Sequence, residues 1–438
     1  MGFMRTRARQ DGLILFFLGA ALFLLTGADL AVVTRSGMAD FDTAYYSAKS
    51  AILHRDPYNP DDVMHARQLT GALPFQSAYD QGVFTRNVYP PSEIALVSPL
   101  ALLPFKLARA LWLFFIAVGF ILAGFAIFQT STAPSLAGAL LALMLLGSES
   151  LVRYANAAGI EVTLTALGVV SIIRQRYAKA GVLALGAALA LKPHDSGLLW
   201  LCFLLAGGVY RRSAGQALAV ALALTLPAVA WLSFLAPNWP AELAQNLQFF
   251  SSDGQSNTPY GLHGTCFITC LQVIFAFMHN SPRFYNIATW LISVPLLLTW
   301  ARGTIGAQKF EYRLWLSVAA ITALSMVSIY HRQYDAKLII LTIPACALLW
   351  KSAKRLGRWA IWLTVAAFFL SNDLIWSVIF VLVKTLHLKV TGPHGSILLA
   401  ALTFPVPLSL LALGAFYLWA LMCFRSETEP NPNQNCTT

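Results

Sequence analysis

The sequence predicts an all-α, polytopic integral membrane protein of about twelve transmembrane helices, with further interfacial helices on its outer face. Apolar residues make up 58% and charged residues 11% of the 438 residues, whereas soluble domains carry roughly 25% charged residues. Apolar runs of about 20 residues, the length that crosses a bilayer as a helix, recur along the chain. Basic residues fall in the short segments between these runs, as in membrane proteins of defined orientation.

The first apolar run, residues 12–34, is expected to remain as a helix, because it is longer than the apolar region of a signal peptide. We expect one polytopic domain over residues 1–425 and a disordered cytoplasmic tail over residues 426–438. Several spans are short and are therefore expected to be tilted or buried. The twelve predicted spans lie at approximately 12–34, 106–128, 133–149, 159–174, 179–192, 195–210, 214–236, 284–301, 314–330, 336–350, 358–383 and 397–423.

The basic loops predict the orientation of the spans. They are Arg5 to Arg9, 174–179, 211–212, 302–313 and 351–358. The positive-inside rule places all of them, and both termini, in the cytoplasm. A further apolar stretch, residues 265–279, would move the 302–313 loop outside if it crossed. We therefore predict that it dips into the membrane from the outer face.

This orientation gathers the polar segments on the outer side. A charge costs roughly 2.5–3.5 kcal/mol at the centre of a spanning helix, so charges at several helix ends on one side indicate a shared, water-accessible cavity. The segments are the first outer loop 35–90, residues 153–161, residues 192–195, the second outer loop 237–264 and residues 330–335.

Two ligand classes are not expected. The net charge of +11 is dispersed over short loops, so it indicates membrane orientation and not nucleic-acid binding. Cys266 and Cys270 lie one helical turn apart, but no further Cys or His completes a four-ligand metal pattern.

Asp40 and Asp42 follow the first span in a chain with few charges. Residues 40–53 have helical spacing, which predicts an interfacial helix with Asp40 near its N-cap and Asp42 in its first turn. The residues expected on its apolar face are Phe41, Ala44, Tyr45, Ala48 and Ile52. Helix capping and dipole compensation explain two carboxylates here as well as catalysis does, and both interpretations stay open.

Cationic residues occur at the ends of other spans. Lys192, beside His194, either extends its amine to the interface or holds a lipid phosphate. The hinge 331–337 carries more polar groups than a turn needs, and Arg332 and Lys337 are the other candidates for a phosphate contact. Asp373 lies inside an apparent span, where it is either functional or hydrogen-bonded within the bundle.

The order of these motifs resembles glycosyltransferase family 87, which comprises bacterial membrane enzymes of the GT-C class. The motifs are Asp40-Phe-Asp42 with Tyr45-Tyr46, Asp56-Pro-Tyr58, Tyr89-Pro-Pro91, Lys192-Pro193 and Tyr334-Asp335. The family includes polyprenol-phosphate-mannose-dependent α-1,2-mannosyltransferases. The resemblance implies a GT-C-like fold in the bacterial cell (inner) membrane. It also implies transfer of a sugar, by default mannose, from a polyprenyl-phosphate donor to a lipid or glycan acceptor on the outer face.

The resemblance also implies residue roles. An aspartate just after the first span is the family's catalytic residue, and both Asp40 and Asp42 fit that position. It would act as a general base with inversion at the sugar carbon, without a cofactor or a required metal. The implied contacts to the donor phosphate are Lys192, His194, His331 and Arg332. The implied substrate-binding residues are Tyr46, Tyr58, Tyr89, Glu161, Tyr334 and Asp335.

Two other classes of function compete with an enzyme. A lipid or solute transporter or flippase commonly shows two related halves, and no clear internal repeat is seen here. A non-catalytic scaffold subunit leaves the acidic residues of the outer loops without a role.

Overall fold

The computed structural model describes residues 2–33, 39–72, 74–75, 77–252, 255, 257–260, 268–386 and 392–424. Over these residues the chain is helical, with no strand and a single isolated β-bridge between Ile268 and Arg332. The all-α prediction is therefore confirmed for the described chain. Cys266, the predicted tail 426–438 and parts of both outer loops lie outside these residues.

The described residues form a succession of helices. In chain order they are α1 Gly2–Val33, α2 Ala39–Ile52, α3 Pro60–Leu69, α4 Ala78–Phe84, α5 Pro91–Ala101, α6 Phe105–Thr130, α7 Pro134–Leu146, α8 Glu149–Tyr154, α9 Ala158–Ile173, α10 Ala178–Leu191, α11 Pro193–Ala206, α12 Gly208–Leu235, α13 Trp239–Ser251, α14 Gln272–Met278, α15 Pro282–Thr304, α16 Glu311–Ser328, α17 Ile343–Ser352, α18 Lys354–Leu370, α19 Asp373–Thr385, α20 Gly392–Thr403 and α21 Pro405–Cys423. Short 3-10 helices span Ala307–Lys309 and Asp335–Thr342.

Six helical stretches of the described residues are long and apolar enough to cross a bilayer. They are Thr6–Ala28, Phe105–Thr130, Pro134–Tyr154, Gly208–Leu235, Pro282–Thr304 and Ile397–Cys423. A bent pair, Lys354–Leu370 with Asp373–Val383, forms a seventh candidate with an angle of 49° at its break. These helices identify a helical membrane protein. The remaining predicted spans coincide with α9, α10, α11, α16 and the 335–352 segment, and the number twelve stays a prediction.

Proline and glycine set where several helices begin. Proline occupies the first helical position of α7, α11, α15 and α21, where its missing N–H has no helical partner to lose. Between α11 and α12 the chain turns at Gly207 and Gly208, whose φ angles are 91° and 52°. A side chain at Gly208 would also collide with the Gln308 amide. Glycine is therefore needed at this turn for two independent reasons.

Small residues bring α1 and α7 into close contact. A Cβ added to Gly138 would overlap the backbone of Gly12, and one added to Gly19 would overlap Ala142. The side-chain hydroxyl of Ser135 donates a hydrogen bond to the Ala8 carbonyl at 2.9 Å. Close approach of helix backbones at small residues is a common mode of packing within membranes. The first apolar run is thus fixed to the bundle along its length.

Replacing Gly138 by Ala is expected to destabilise the protein by about 1–3 kcal/mol, the usual cost of overpacking a core. The new methyl group can be accommodated only if the α1 backbone moves, since the atoms it meets belong to Gly12. Thermal unfolding of the purified protein in detergent measures the effect. Gly215→Ala is the matched control, because no atom lies within 4 Å of a Cβ at that helical position. Equal stability of the two variants would contradict the packing account.

Helix α2 forms where the sequence predicts it, with both acids in its first turn. The predicted apolar face is buried except for Ile52, which is partly buried. The ring of Phe41 lies 5.4 Å from that of Trp112, and the hydroxyl of Tyr45 donates to the Leu103 carbonyl at 2.7 Å. The protein itself therefore covers this face, and a position at the membrane interface stays a prediction.

The segments that the positive-inside rule assigned to one side contact one another. On the predicted inner side, Arg174 pairs with Glu311 at 3.1 Å. On the predicted outer side, the second outer loop contacts the first through Asn246, which donates to the carbonyls of Tyr58 and Asn87 at 2.9 and 3.0 Å. The stretch 265–279, predicted to dip into the membrane, contributes α14 and a bridge at Ile268; residues 265–267 lie outside the described chain.

Lys337 and Asp373 form a buried junction of three helix ends. The amine of Lys337 donates to the carbonyls of Gly147 and Ser371 at 2.6 and 2.7 Å and to the carboxylate of Asp373 at 2.9 Å. The other carboxylate oxygen of Asp373 accepts the backbone N–H of Ser150 at 2.8 Å. Of the two roles that the sequence left open for Asp373, the structure shows the hydrogen bonds within the bundle. Lys337, which the sequence also offered for a phosphate contact, is buried and donates to these protein acceptors instead.

Candidate active site

Asp40 lies at the start of α2, partly exposed, with its carboxylate held by Asn156. The amide nitrogen of Asn156 donates to Asp40 Oδ2 at 2.8 Å and lies 3.0 Å from the hydroxyl of Tyr89 and 3.2 Å from that of Tyr334. One amide group thus gathers a carboxylate and two phenols. The amide nitrogen carries two N–H groups, so at most two of these three oxygens accept from it at one time, and the carboxylate is the nearest of them.

The local backbone fixes which way the Asn156 amide points. Its oxygen accepts the N–H of Ala158 at 2.8 Å, at the start of α9. Ala155 has a φ of 50° in the left-handed region, and its carbonyl accepts the indole N–H of Trp112 at 2.8 Å. With the amide oxygen occupied by a backbone donor, the amide nitrogen must face Asp40.

The surroundings of Asp40 favour a carboxylate that accepts protons readily. Burial raises the pKa of Asp40 above its ordinary value. The positive charge of Arg332, the hydrogen bond from Asn156 and the charge of Lys192 offset part of that rise. A carboxylate of raised pKa is a stronger base, provided that it stays ionised at the working pH.

Asp42 is engaged in an ion pair instead. Its carboxylate lies 3.2 Å from Arg67 Nη1, with only 24% of its side chain exposed. The Arg67 guanidinium also covers the rings of Tyr46 and Phe75, at 5.1 and 4.2 Å from their centroids. Burial raises the pKa of Asp42 and Arg67 opposes the rise. A carboxylate paired with arginine is poorly suited to take a proton, so the geometry favours Asp40 over Asp42 as a base.

Lys192 lies between two carboxylates at the break between α10 and α11. Its amine is 2.5 Å from Asp335 and 3.0 Å from Asp195. The amine also lies 5.4 Å above the ring of Tyr334, the residue that contacts Asn156. Because two acids already match the charge of this buried lysine, it has little charge left for a ligand phosphate.

The two histidines differ in accessibility. His331 is fully buried, with Nε2 3.1 Å from Asp195 and Nδ1 3.1 Å from the carbonyl of Ile329. Both ring nitrogens therefore face acceptors, which favours the doubly protonated ring. Burial lowers the pKa of His331, but the adjacent carboxylates raise it further, so that the net change is upward. His194 approaches the same Asp195 oxygen at 3.3 Å and keeps 44% of its side chain exposed.

Arg332 is held by neutral hydrogen-bond acceptors. Its Nε donates to the hydroxyl of Tyr330 at 2.6 Å and its Nη2 donates to Asn257 at 2.9 Å. Its backbone N–H donates to Asp335 at 2.8 Å, which links it to the carboxylate pair around Lys192. The guanidinium charge acts on Asp40, where it lowers the pKa.

Three of the sequence-predicted residues are packed within the protein. The ring of Tyr46 is buried and stacks on Phe105 at 5.5 Å. The hydroxyl of Tyr58 donates to the Tyr89 carbonyl at 2.8 Å, so Tyr58 positions Tyr89. Glu161 is fully buried and accepts from Thr165 at 2.6 Å. Their predicted role in substrate binding stays a prediction.

A polar cavity of about 370 Å³ is lined by Tyr58 and residues of the second outer loop. Its lining includes Arg86, Glu242, Gln245, Gln248 and Phe249. Burial, together with the neighbouring Asp56, raises the pKa of Glu242 to about 7. Amides, a guanidinium and an aromatic face are groups that can bind the hydroxyls and faces of a sugar.

Sequence reasoning missed four residues of this region. Asn156 and Arg153 lie in the segment 153–161, which carried no recognisable spacing. Asp195 directly follows Lys192-Pro-His194 and is fully buried among the cations. Glu93 follows Tyr89-Pro-Pro91 after one serine, and neither of its buried oxygens has a hydrogen-bond partner in the described chain. For Asp195 and Glu93, the available signal was a charged residue close to a motif.

The predicted site residues thus form two adjoining groups. Asp40, Tyr89 and Tyr334 meet at Asn156, and Lys192, His194, His331 and Asp335 meet at or beside Asp195. Within the described residues no group of three or more His, Cys, Asp or Glu side chains could hold a metal ion. Comparison of the chain with protein-family models and with curated proteins gives no match in either case.

Proposed function

We propose that this protein is a membrane glycosyltransferase of the GT-C class. It transfers a sugar, by default mannose, from a polyprenyl-phosphate donor to a hydroxyl group of a lipid or glycan acceptor. The observation that carries the proposal is the carboxylate of Asp40, on a partly exposed residue, held by Asn156 and acted on by the positive charge of Arg332. Displacement of a sugar from a phosphate requires a base and a cation that binds the phosphate.

The proposed reaction is a single displacement. The acceptor hydroxyl oxygen forms a bond to the anomeric carbon while the bond from that carbon to the phosphate oxygen breaks. The hydroxyl proton passes to Asp40, and the bonding electrons leave with the polyprenyl phosphate as an anion. The transition state carries positive charge on the sugar ring, which a nearby carboxylate stabilises. Attack opposite the leaving group inverts the anomeric configuration.

The cations divide into two roles in this proposal. Arg332 and the exposed His194 contact the leaving phosphate, since charge-assisted hydrogen bonds to phosphate oxygens are the strong ones. Arg153, partly buried and 5.7 Å from the ring centroid of Tyr154, is a third candidate. Lys192 and His331 hold Asp195 and Asp335 in place and act on the substrate only through them.

The orientation belongs to the same proposal. Twelve spans, cytoplasmic termini and a polar site on the outer face agree with the basic loops. A lipid-linked donor suits that face, because nucleotide sugars are supplied in the cytoplasm. The contacts among the predicted outer segments support a common location for them.

A second candidate function is transport of a lipid or solute. Its support is the buried network of Lys192, Asp195, His331 and Asp335, because buried ionisable groups also form proton pathways in transporters. Partial exposure of Asp40 next to two phenols is the observation that favours the enzyme.

Purified protein reconstituted in proteoliposomes distinguishes the two candidates. Labelled polyprenyl-phosphate sugars are supplied with and without a membrane extract that provides acceptors. The enzyme releases polyprenyl phosphate and moves the label to a new product only when acceptor is present. A transporter moves label across the bilayer with the donor intact, and that outcome would overturn the proposal.

Asn156→Ala is expected to move the acid limb of the pH profile of kcat/KM to higher pH. The hydrogen bond to Asp40 favours its charged form, so losing it raises the pKa of Asp40. A hydrogen bond to a charged group contributes roughly 1.5–3 kcal/mol, which corresponds to an upward shift of about one to two pH units. Tyr89→Phe retains the Asn156 bond and should keep the wild-type limb. An unshifted limb in Asn156→Ala would show that Asp40 is not the titrating base.

A further inference from the structure

A basic cavity of about 1060 Å³ lies at the opposite end of the bundle from Asp40. It is formed where the start of α1, the start of α7 and the corner between α17 and α18 meet. Its lining residues are Ala8, Arg9, residues 132–136, Trp350, Lys351, Lys354 and Arg358. The sequence placed these basic residues in cytoplasmic loops, and the proposed reaction uses none of them.

The charge in this cavity has no counterpart in the described chain. Arg9, Lys351, Lys354 and Arg358 line it, and no Asp or Glu does. None of the four takes part in an ion pair with another described residue. All four side chains are exposed. Four like charges around one cavity repel each other unless an anion occupies it.

Two helix starts add to the positive field. Helix α18 begins at Lys354 and α7 begins at Pro134, and no side chain caps either one. The N-terminal end of a helix carries a partial positive charge, which favours acidic residues there. Here α18 instead has a lysine in its first turn and no acid. An anion bound in the cavity would relieve this unfavourable arrangement.

An apolar cavity of about 370 Å³ adjoins the basic one and shares Thr132 and Lys351 with it. The other lining residues are Tyr312, Leu316, Leu348, Leu349, Ser352 and Phe424. Beside the basic cavity, Trp350 and Trp359 have 45% and 56% of their surface exposed. Exposed tryptophans and basic side chains together mark the headgroup level of a bilayer.

We propose that the basic cavity binds the phosphate group of an anionic phospholipid, with an acyl chain in the adjoining apolar cavity. The four cations and the two uncapped helix starts bind the phosphate group in this proposal. The apolar cavity holds the acyl chain, which a lipid has and a free phosphate ion does not. Basic cavities between membrane helices on the cytoplasmic side recognise lipid headgroups in this manner.

Native mass spectrometry of the full-length protein tests the proposal, with dioleoyl phosphatidylglycerol and dioleoyl phosphatidylcholine as probes. We expect the wild-type protein to retain one phosphatidylglycerol and to release phosphatidylcholine. Lys351→Gln/Lys354→Gln/Arg358→Gln should weaken phosphatidylglycerol binding about 100-fold, because each basic side chain contributes roughly a factor of five near an anionic surface. Equal retention of both lipids, or unchanged binding by the triple variant, would overturn the proposal.

A charge-matched triple variant controls for net charge and folding. Lys179→Gln/Arg212→Gln/Arg302→Gln removes three exposed cations from other basic loops and should bind phosphatidylglycerol as the wild type does. Leu348→Trp fills the apolar cavity with the cations intact and should also weaken lipid binding. If inorganic phosphate at the same concentration displaces the lipid, the site holds a phosphate ion and the lipid proposal is wrong. If Leu348→Trp binds phosphatidylglycerol normally, the apolar cavity does not hold the acyl chain, and the proposal is also wrong. Elution volume and unfolding temperature confirm that each variant is folded.

Discussion

Asp40→Asn is expected to lower kcat for sugar transfer by about 10²–10⁴-fold, the usual contribution of a general base. The amide oxygen of the new side chain can still accept the bond from Asn156, which now holds Asp40 Oδ2 at 2.8 Å. The fold and the donor site should therefore persist, while no group remains to take the acceptor proton. Initial rates with labelled polyprenyl-phosphate sugar measure the loss.

Asp42→Asn is the matched control for that experiment. It replaces the carboxylate that pairs with Arg67 at 3.2 Å by an amide, whose oxygen can still accept from the guanidinium. We expect a much smaller loss of rate than in Asp40→Asn, because the proposed proton acceptor is unchanged. A large loss in Asp42→Asn with activity retained in Asp40→Asn would reverse the assignment of the base.

Lys337→Met is expected to destabilise the protein by about 3–5 kcal/mol, the cost of breaking a buried ion pair. The lysine amine is 1% exposed and bonds Asp373 and the carbonyls that end α7 and α18. Its loss leaves a buried carboxylate and two buried carbonyls without their donor. We expect a strongly lowered unfolding temperature, or loss of a folded fraction, in detergent-solubilised membranes.

Two variants test the cause of that loss. Lys337→Met/Asp373→Asn removes the unpaired charge and should recover part of the stability, because an amide can still accept the N–H of Ser150. Lys309→Met removes an exposed lysine and should leave the unfolding temperature unchanged. If Lys337→Met unfolds at the wild-type temperature, the junction of helix ends contributes little.

The long apolar helices were predictable because each leaves a local signal in the chain. Apolar length locates α6, α12 and α15, and proline marks the first turn of α7 and α11. The apolar face of α2 followed from residue spacing alone. Residue spacing did not predict that other parts of the protein cover this face. Trp112 lies 71 residues beyond Phe41 in the chain, and only the folded bundle brings the two together.

The sequence predicted several residues of the site but not which residues they pair with. The sequence selected Asp40, Asp42 and Lys192 as out of place, but it could not separate the two aspartates. The difference lies in partners far along the chain: Asn156 is 116 residues from Asp40, and Arg67 is 25 residues from Asp42.

For Lys192, too, the partners were not predicted, and here they change the expected role of the residue. As an isolated lysine at a helix end, it suited a phosphate contact. Asp335, 143 residues away, and Asp195 neutralise it in the folded chain. In the proposed reaction the phosphate contact is therefore assigned to Arg332, whose charge acts on Asp40, and to the exposed His194. The pairing with Asp195 is local, three residues along the chain, whereas the pairing with Asp335 depends on which helices meet and leaves no local pattern.

A single-turnover assay tests the central claim most directly. Wild-type protein and Asp40→Asn, in excess over a labelled polyprenyl-phosphate sugar, are mixed with acceptor, and released polyprenyl phosphate and glycosylated product are quantified over time. The account predicts equal amounts of both products from the wild type, and bound but unreacted donor in Asp40→Asn. Transfer at the wild-type rate by Asp40→Asn, or no transfer by the folded wild-type protein with any polyprenyl-phosphate sugar, would contradict it.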